Sequence, residues 1–547
     1  MSIITVDSEK CVGCNSCVRV CPAHEANMVT KNSDGDMIIT INDDKCIKCG
    51  ECIKICTHQA RSYADDTDAF WKDLKSGVNI SLIVAPAIKV AFDGYWRHVL
   101  KWLKNNGIKS IYDVSFGADI CTWAHLELFN RGMAKNVISQ PCAAITNYIL
   151  KYKPSLLTYL SPVHSPMLCT ASYMNNYMGI SGKIAALSPC IAKKCEFEQT
   201  GLVDYNVTFE RLKQKFEENN IKFPTRQNPG NNKNNENYCD FEFDVEQGLE
   251  GSFYPRPGGL KDNLLIHNQK LNIINSEGVG RVYSDLCTYD CEKAENLPDV
   301  FDVLSCEFGC NSGPAVGKKY SLFAMDNVMQ GVKKFTKSKR TKQNKLGIDK
   351  QFAYFSKKLK LDDFCRTYTA DNINIKVPTE AEINKALISM NKNTYAEQNF
   401  DCHACGFISC KDMASAICKG INVHENCMQY SKGIAEQNTA EVAQLNEEVM
   451  QLTNQLQQVT EILFNNISNV NSESENIDKL NDKCIHDMDI ISDSISKLNQ
   501  LSNNIVEAMS NINIGINSYT VMTNNVNTIA RQINLCALPV KPDTTEC

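Results

Sequence analysis

The chain of 547 residues contains no apolar run long enough to cross a bilayer, which excludes a helical membrane span. It also lacks a marked excess of either charge. With 57 Lys and Arg against 63 Asp and Glu, the net charge of -6 offers no case for nucleic acid as a partner. No secretory leader opens the sequence, so its thiols are expected in a reducing, cytoplasmic setting. From Glu436 to Ala537 there is no proline and Gly515 is the only glycine, so the usual helix breakers are missing from the whole stretch.

What the chain does have is cysteine, 27 in all, grouped largely in C-x2-C spacings that argue for metal rather than disulfides. Its length calls for several domains. The first, residues 1 to 62, carries CVGCNSCVRVCP and CIKCGECIKIC, two C-x2-C-x2-C-x3-C runs that supply eight ligands in bacterial ferredoxin order. A zinc knuckle explains this pattern poorly. Two 4Fe-4S clusters fit it, with Cys11, Cys14 and Cys17 sharing one with Cys56, and Cys46, Cys49 and Cys52 sharing the other with Cys21. Their expected role is an electron wire, and His58 beside the second run is given no ligand role.

From about residue 78 short apolar runs alternate with helical periods. NISLIVAPAI and SIYDVSF read as buried strands, and GYWRHVLKWLKNNG between them as a helix stopped by Gly107. That alternation implies parallel sheets covered on both faces. Three apolar runs end on cysteine: NVISQPC on Cys142, KIAALSPC on Cys190, and FDVLSCEFGCNSG on Cys306 with Cys310 after it. Loops at the carboxyl ends of strands in open α/β sheets converge on one crevice, so distant cysteines can meet there. A lone cysteine after a strand is more often a small buried hydrophobe. The company of Pro141, Pro189, Lys193, Gly309 and Gly313 shifts the balance toward a four-thiolate centre, zinc or an iron-sulfur cubane.

In SQPCAAI, LSPCIAKKCEFE and LSCEFGCNSGP the chain resembles, in order, the signature segments of the catalytic domain of FeFe (iron-only) hydrogenases, over roughly residues 80 to 370. The resemblance implies two lobes with an H-cluster between them: a 4Fe-4S cubane on Cys142, Cys190, Cys306 and Cys310, and a diiron unit with CO, CN and azadithiolate ligands bridged through Cys310. It assigns Lys193 to an iron-bound cyanide and places Ala85, Pro86 and Ala87 along the diiron pocket. Molecular hydrogen would be the substrate and the cofactor's own amine the base. The departures point to slow turnover. Proline at 141 stands where efficient members carry a proton-relaying cysteine, and Ser188 and Leu304 replace methionines. In FGADICTWAHLELFNR only Glu127 and His125 are available for the proton path. These changes resemble the sensory branch of the family.

Cys121, Cys169, Cys195, Cys239, Cys287, Cys291 and Cys365 lack a complete ligand set. They read as structural thiols, one of them a candidate substitute proton relay that the sequence does not single out. Thr225 to Tyr238 reads as a mobile surface insertion, FYPRPGGLKDNL as a rigid loop near a site, and the lysine-rich residues 331 to 361 as a solvated helix face or linker. Residues 376 to 432 place Cys402, Cys405, Cys410 and Cys427 as C-x2-C-x4-C-x16-C, which resembles a small 4Fe-4S domain found beside sensory hydrogenase domains, with zinc as the alternative. Cys418 reads as a packed helix residue.

Residues 434 to 535 change character. Val442, Leu445, Val449, Leu452, Leu456 and Val459 alternate in threes and fours, and the rhythm resumes through Ile491, Ile495, Leu498, Ile505, Met509, Ile512 and Ile516. A continuous helix of that length would extend roughly 150 Å, and a homodimer is the expected way to cover its seam. VNTIARQINLCAL resembles the approach to the hairpin tip of methyl-accepting chemotaxis signalling domains, after which residues 536 to 547 form an irregular tail carrying two prolines. The expected whole is a multidomain α/β protein: a two-cluster α+β ferredoxin domain, a hydrogenase-like domain over 78 to 370, a small iron-sulfur domain and a coiled coil. Its expected function is slow, reversible conversion of hydrogen to protons and electrons, with hydrogen or redox sensing through the rod, in an anaerobe. A ferredoxin-type redox partner and a signalling partner are expected. The rival readings are a fast metabolic hydrogenase, an iron-sulfur assembly factor and a non-enzymatic redox scaffold.

Overall fold

The computed structural model describes residues 2–224, 239–245, 247–317, 320–342, 347–472 and 487–513. The insertion expected at 225–238, the VNTIARQINLCAL segment and the tail lie outside the described residues. Among these residues, no helix is long and apolar enough to cross a membrane. The chain divides into two units, one comprising Met1–Glu382, Gly406–Ile408 and Asp412–Asn422, the other Ile383–Cys405, Ser409–Lys411 and Val423–Cys547.

The first unit begins with strands β1 (Ile4–Val6), β2 (Asn27–Lys31), β3 (Met37–Ile41) and β4 (Arg61–Tyr63), paired antiparallel as β1 with β4 and β2 with β3. The two cysteine runs fill the turns and short helices around these pairs. Gly13, at φ +62, passes so close to β3 that a Cβ would stand 2.5 Å from the Met37 carbonyl oxygen. That is why the first run needs glycine there.

Seven further strands build two parallel sheets: β5 (Ile80–Val84), β6 (Ile108–Asp113), β7 (Val137–Ile138), β8 (Lys183–Ser188), β9 (Tyr205–Thr208), β10 (Ile273–Glu277) and β11 (Val300–Leu304). One sheet has the order β6-β5-β8-β9 and the other β10-β11-β7. Residues of β5 and β11 are buried throughout, as continuous apolar runs in a two-sided sheet require. Ile80, Leu82, Ile83 and Val84 join Phe70, Leu100 and Phe209 in the core of the first lobe. Trp123, Leu264, Val300 and Phe355 belong to that of the second.

The expected strand SIYDVSF is shorter than predicted. It ends at Asp113, whose side chain accepts from the Ser115 amide and caps the helix Val114–Asn130. This largely buried helix meets the helix Pro166–Tyr177 at Gly117, where a Cβ would stand 2.1 Å from Thr170 Oγ1. The helix Trp96–Asn105 stops before Gly107, which adopts φ +110 as a helix terminator should. The lysine-rich region is helical over Leu322–Lys342 and Gly347–Lys358.

Residues 376 to 432 are shared between the two units. Gly406, at φ +89, closes on Val18 and Asn15, the Ile421 carbonyl accepts from the Val29 amide, and Lys419 pairs with Glu25 at 3.0 Å. All of these contacts lie within the first unit. In the second unit the helix Met428–Ser472 runs long, and residues 487–513 are helical too. Val442 and Leu445 on the expected seam are 39% and 52% exposed in the single chain.

Candidate metal centres

In the N-terminal region Cys21 is electrostatically close to Cys46 and Cys52, and Cys49 to Cys21, Cys52 and Cys46. Cys21, the last cysteine of the first run, thus lies near three cysteines of the second run as well as near Cys17 of its own. Cys17 is electrostatically close to Cys52, Cys14 and Cys11. Burial pushes the Cys17 thiol up to about 12, opposed by the nearby Arg61 charge, and the Cys52 thiol up to about 11. Such thiols become thiolates when the charge of a bound metal replaces the proton.

Arg61 is buried between the groups. Its guanidinium donates to Cys17 Sγ at 3.1 Å and to the Ile39 carbonyl at 3.2 Å, and also bonds Cys52. A fixed cation touching a ligand of each cluster favours the more negative, reduced state of both. The substitution Arg61→Gln is expected to lower both N-terminal reduction potentials, by on the order of 50 mV, close to one tenfold change in a one-electron equilibrium. Potentiometric titration followed by electron paramagnetic resonance reads the shift.

The second centre forms where strands of both sheets end. Ala85, Pro86 and Ala87 after β5, Pro141 and Cys142 after β7, Pro189 and Cys190 after β8, and Ser305, Cys306 and Cys310 after β11 line one cavity. Its volume of about 90 Å³ is well above the ~10–15 Å³ that one water needs. Cys306 is electrostatically close to Cys142, Cys190 and Cys310, so the four thiols predicted from distant sequence do meet. Burial drives Cys190 up to about 11 and Cys310 up to about 12. Gly309, at φ +67, and Gly313 let the last loop close. A Cβ on the first would stand 2.2 Å from the Pro255 oxygen, and on the second 2.3 Å from the Pro189 oxygen. The donor set of four soft sulfurs in a glycine-made cradle fits a cubane. Among the described residues no three His, Cys, Asp or Glu side chains close to the spacing of a single ion.

Lys193 lines the same cavity and is buried. Its ammonium donates to Glu196 Oε2 at 2.5 Å and to the Pro141 carbonyl at 3.1 Å. Glu196 also accepts from Ser165 Oγ at 2.9 Å and pairs with Arg366 at 3.4 Å. Two cations thus share one buried carboxylate beside the thiols.

The other predicted residues fall differently. Leu304 lines the cavity, whereas Ser188 holds the Cys190 loop by accepting from the Cys190 amide at 3.2 Å. Glu127 pairs with Arg131 at 3.1 Å and accepts from Ser356, and it is not among the residues lining the cavity. His125 is buried, its Nδ1 bonded to the Cys121 carbonyl at 2.8 Å and its Nε2 to Ser161 Oγ at 2.9 Å. The FYPRPGGLKDNL loop does reach the site, contributing Tyr254, Pro255, Gly259 and Leu260 to the wall.

Asp302 was not singled out from sequence, yet it lines the cavity. Burial pushes its carboxyl up to about 6, against hydrogen bonds from the Lys261 amide and Ser139. A lone acid inside an otherwise apolar strand was the available signal.

The two regions touch. Ala143, Ala144 and Ala192 form a small buried cluster against which Cys49, Cys142 and Cys190 pack, and Tyr283 is within electrostatic reach of Cys49, Cys142 and Cys306. Further along, Cys402 and Cys405 precede the helix Cys410–Cys418, and Cys427 immediately precedes Met428–Ser472. The Cys410 amide donates to Asp401 at 2.6 Å. Cys418 donates to the Glu382 carbonyl at 3.3 Å, which places it as a packed helix residue.

Residues 78–314 match the family model for the C-terminal domain of the iron-only hydrogenase large chain, and residues 10–60 that of the 4Fe-4S dicluster domain. The chain is 29% identical over 237 residues to the periplasmic [Fe] hydrogenase large subunit of Nitratidesulfovibrio vulgaris. That alignment takes in 38% of this chain and 55% of the relative, so the chain spans about half the length of the curated relative it matches. Among solved structures, a variant of the FeFe hydrogenase HydA1 from Chlamydomonas reinhardtii aligns at 14% identity and TM-score 0.41, over 55% of this chain and 99% of that one. The HydA structure that describes stepwise H-cluster assembly aligns at 13% identity and TM-score 0.41, over the same shares.

Proposed function

We propose that this protein converts molecular hydrogen reversibly to protons and electrons at an H-cluster held by Cys142, Cys190, Cys306 and Cys310, slowly, and as a hydrogen or redox sensor. The observation that carries the reading is the meeting of four half-buried thiols and the buried ammonium of Lys193 on one cavity at the strand ends. When bound, the H-cluster supplies the diiron site and the base that split hydrogen. The chain's own residues hold, orient and insulate it. Lys193, with two of its three donors committed to Glu196 and Pro141, has one left for an anionic ligand in the cavity. Ala85, Pro86, Ala87 and Leu304 keep the wall apolar.

Electrons have a short route outward. The packing of Cys49, Cys142 and Cys190 against one small alanine cluster supports transfer between the H-cluster and the 4Fe-4S centre on Cys21, Cys46, Cys49 and Cys52, and from there to the second N-terminal cluster and a ferredoxin-type partner. A further 4Fe-4S centre on Cys402, Cys405, Cys410 and Cys427 completes the proposed cofactor set. Slow turnover is supported by Pro141, which occupies the cavity wall and carries no proton. Signalling is supported by the exposed apolar positions of the helix Met428–Ser472, which suit a second copy of this helix. For sensing, hydrogen must favour one arrangement of that rod over another. The reading places the protein in the cytoplasm.

Infrared spectra of the anaerobic protein, loaded with diiron cofactor, test this under argon and then hydrogen. Carbonyl and cyanide bands that shift reversibly with hydrogen are expected, at turnover far below that of a metabolic hydrogenase. Absence of bands, when a known hydrogenase loads in parallel, sinks the hydrogen reading and leaves an iron-sulfur scaffold.

A further inference from the structure

A second cavity, of about 990 Å³ and open to solvent, shares no lining residue with the cluster site. Leu128, Leu150 and Leu361 make part of its wall apolar, while His164, Arg366 and Tyr368 bring polar groups to it. The segments around Val163 and Cys365 pair antiparallel, the His164 amide donating to the Phe364 carbonyl at 2.7 Å and the Arg366 amide to the Pro162 carbonyl at 2.8 Å. That pairing sets His164 within electrostatic reach of the Arg366 charge, and the guanidinium lies over the Tyr368 ring, 4.5 Å from its centre.

His164 is 7% exposed and the Arg366 side chain 10%, yet His164 Nδ1 and Arg366 Nε have no hydrogen-bond partner in the chain. Buried polar atoms in native folds are almost always satisfied, so two left open on one cavity wall mark a place that another molecule fills. Among the described residues that line the cavity, Arg366 is the one fixed cation; Asp371 is taken by Lys151 at 2.7 Å, and Asp362 is exposed. Burial and the Arg366 charge push the His164 imidazole down to about 4, so it is uncharged at neutral pH. One positive charge suits a monoanion better than a dianion, and the leucines suit an apolar body attached to it. The guanidinium also reaches Glu196 at 3.4 Å, and that same carboxylate holds Lys193 of the cluster cavity.

We propose that this open cavity binds a small organic monocarboxylate, its carboxylate held by Arg366 and His164 and its apolar body by the leucines, and that the bound anion acts on Lys193 through Glu196. An anion on Arg366 shares the guanidinium, so Glu196 is left more to Lys193. The ammonium then holds an anionic ligand of the cluster cavity less strongly. Binding and cluster are coupled because Glu196 touches both cations. The coupling rests on the hydrogen-converting reading; the binding site does not.

The test is isothermal titration calorimetry of the full chain with pentanoate, its uncharged counterpart pentanamide, and inorganic phosphate. Pentanoate is expected to bind with a Kd of about 1 mM or tighter, and the other two at least about tenfold more weakly, as loss of a charge-assisted contact or a second negative charge requires. Arg366→Met is expected to weaken pentanoate at least about tenfold. Thr367→Trp, a change at an exposed residue of the cavity wall that leaves the Glu196 pairs alone, is expected to block it and decides the matter if Arg366→Met fails to fold. No binding of pentanoate, or pentanamide or phosphate binding as tightly, would overturn the site. In the diiron-loaded chain, pentanoate is expected to shift the cyanide infrared bands, and not to do so in Thr367→Trp. Binding without that shift would overturn the coupling. Missing cyanide bands would overturn the hydrogen reading and the coupling with it, and calorimetry would decide the site by itself.

Discussion

Replacing Cys306 by alanine is expected to abolish hydrogen-responsive infrared bands and to lower the iron content of the matured protein, while leaving the two N-terminal clusters intact. Cys306 stands two residues after the end of β11 and is electrostatically close to Cys142, Cys190 and Cys310. No other cysteine among the residues lining that cavity can take its place. Three thiolates hold a cubane poorly, and without the cubane the diiron unit has no bridging anchor in this reading. The N-terminal cysteines belong to separate groups, so their electron paramagnetic resonance signals after reduction should be unchanged. Hydrogen turnover should fall by at least a thousandfold. Full turnover or unchanged iron in Cys306→Ala would refute the assignment of the centre.

The second large effect is one of stability. Glu196 pairs with both Lys193 and Arg366, and its side chain is 1% exposed. Glu196→Gln keeps the volume but removes the shared anion, leaving two buried cations without it. Breaking such a pair from one side typically costs about 3–5 kcal/mol. Chemical denaturation of the cofactor-free chain should show that loss for the unit containing the hydrogenase-like domain. Adding Arg366→Met should recover part of it, because the second orphaned charge disappears. A loss equal to the sum of the two single changes would mean that the three groups do not act as a unit.

Much of this was legible in the chain. The eight N-terminal cysteines sit in spacings that few other centres use, and the structure brings Cys21 near Cys46, Cys49 and Cys52 of the second run. The endings on Cys142, Cys190 and Cys306 were legible because an apolar run that stops at a thiol marks both the strand and the loop at its carboxyl end. Other features were harder to read. SIYDVSF looked like one strand because its apolar periodicity continues past Asp113, whereas the capping bond from Ser115 turns the chain into a helix there. Glu127 shares a helix with His125 but pairs with Arg131 away from the cavity. A two-residue difference along a helix swings a side chain to another face.

The cysteine spacings and the parallel α/β character follow from the chain alone, because thiol spacing and apolar period are local properties. Which of the unassigned groups matter became visible only once the chain was folded. Cys121, Cys169 and Cys365 look alike as isolated cysteines, and Asp302 looks like a strand impurity. What surrounds them is decided by folding, since their neighbours come from the Pro166–Tyr177 helix, the Tyr254 loop and the segment after Phe364. Side chains far apart in sequence change one another's charge only when folding brings them within a few ångströms and removes the water between them.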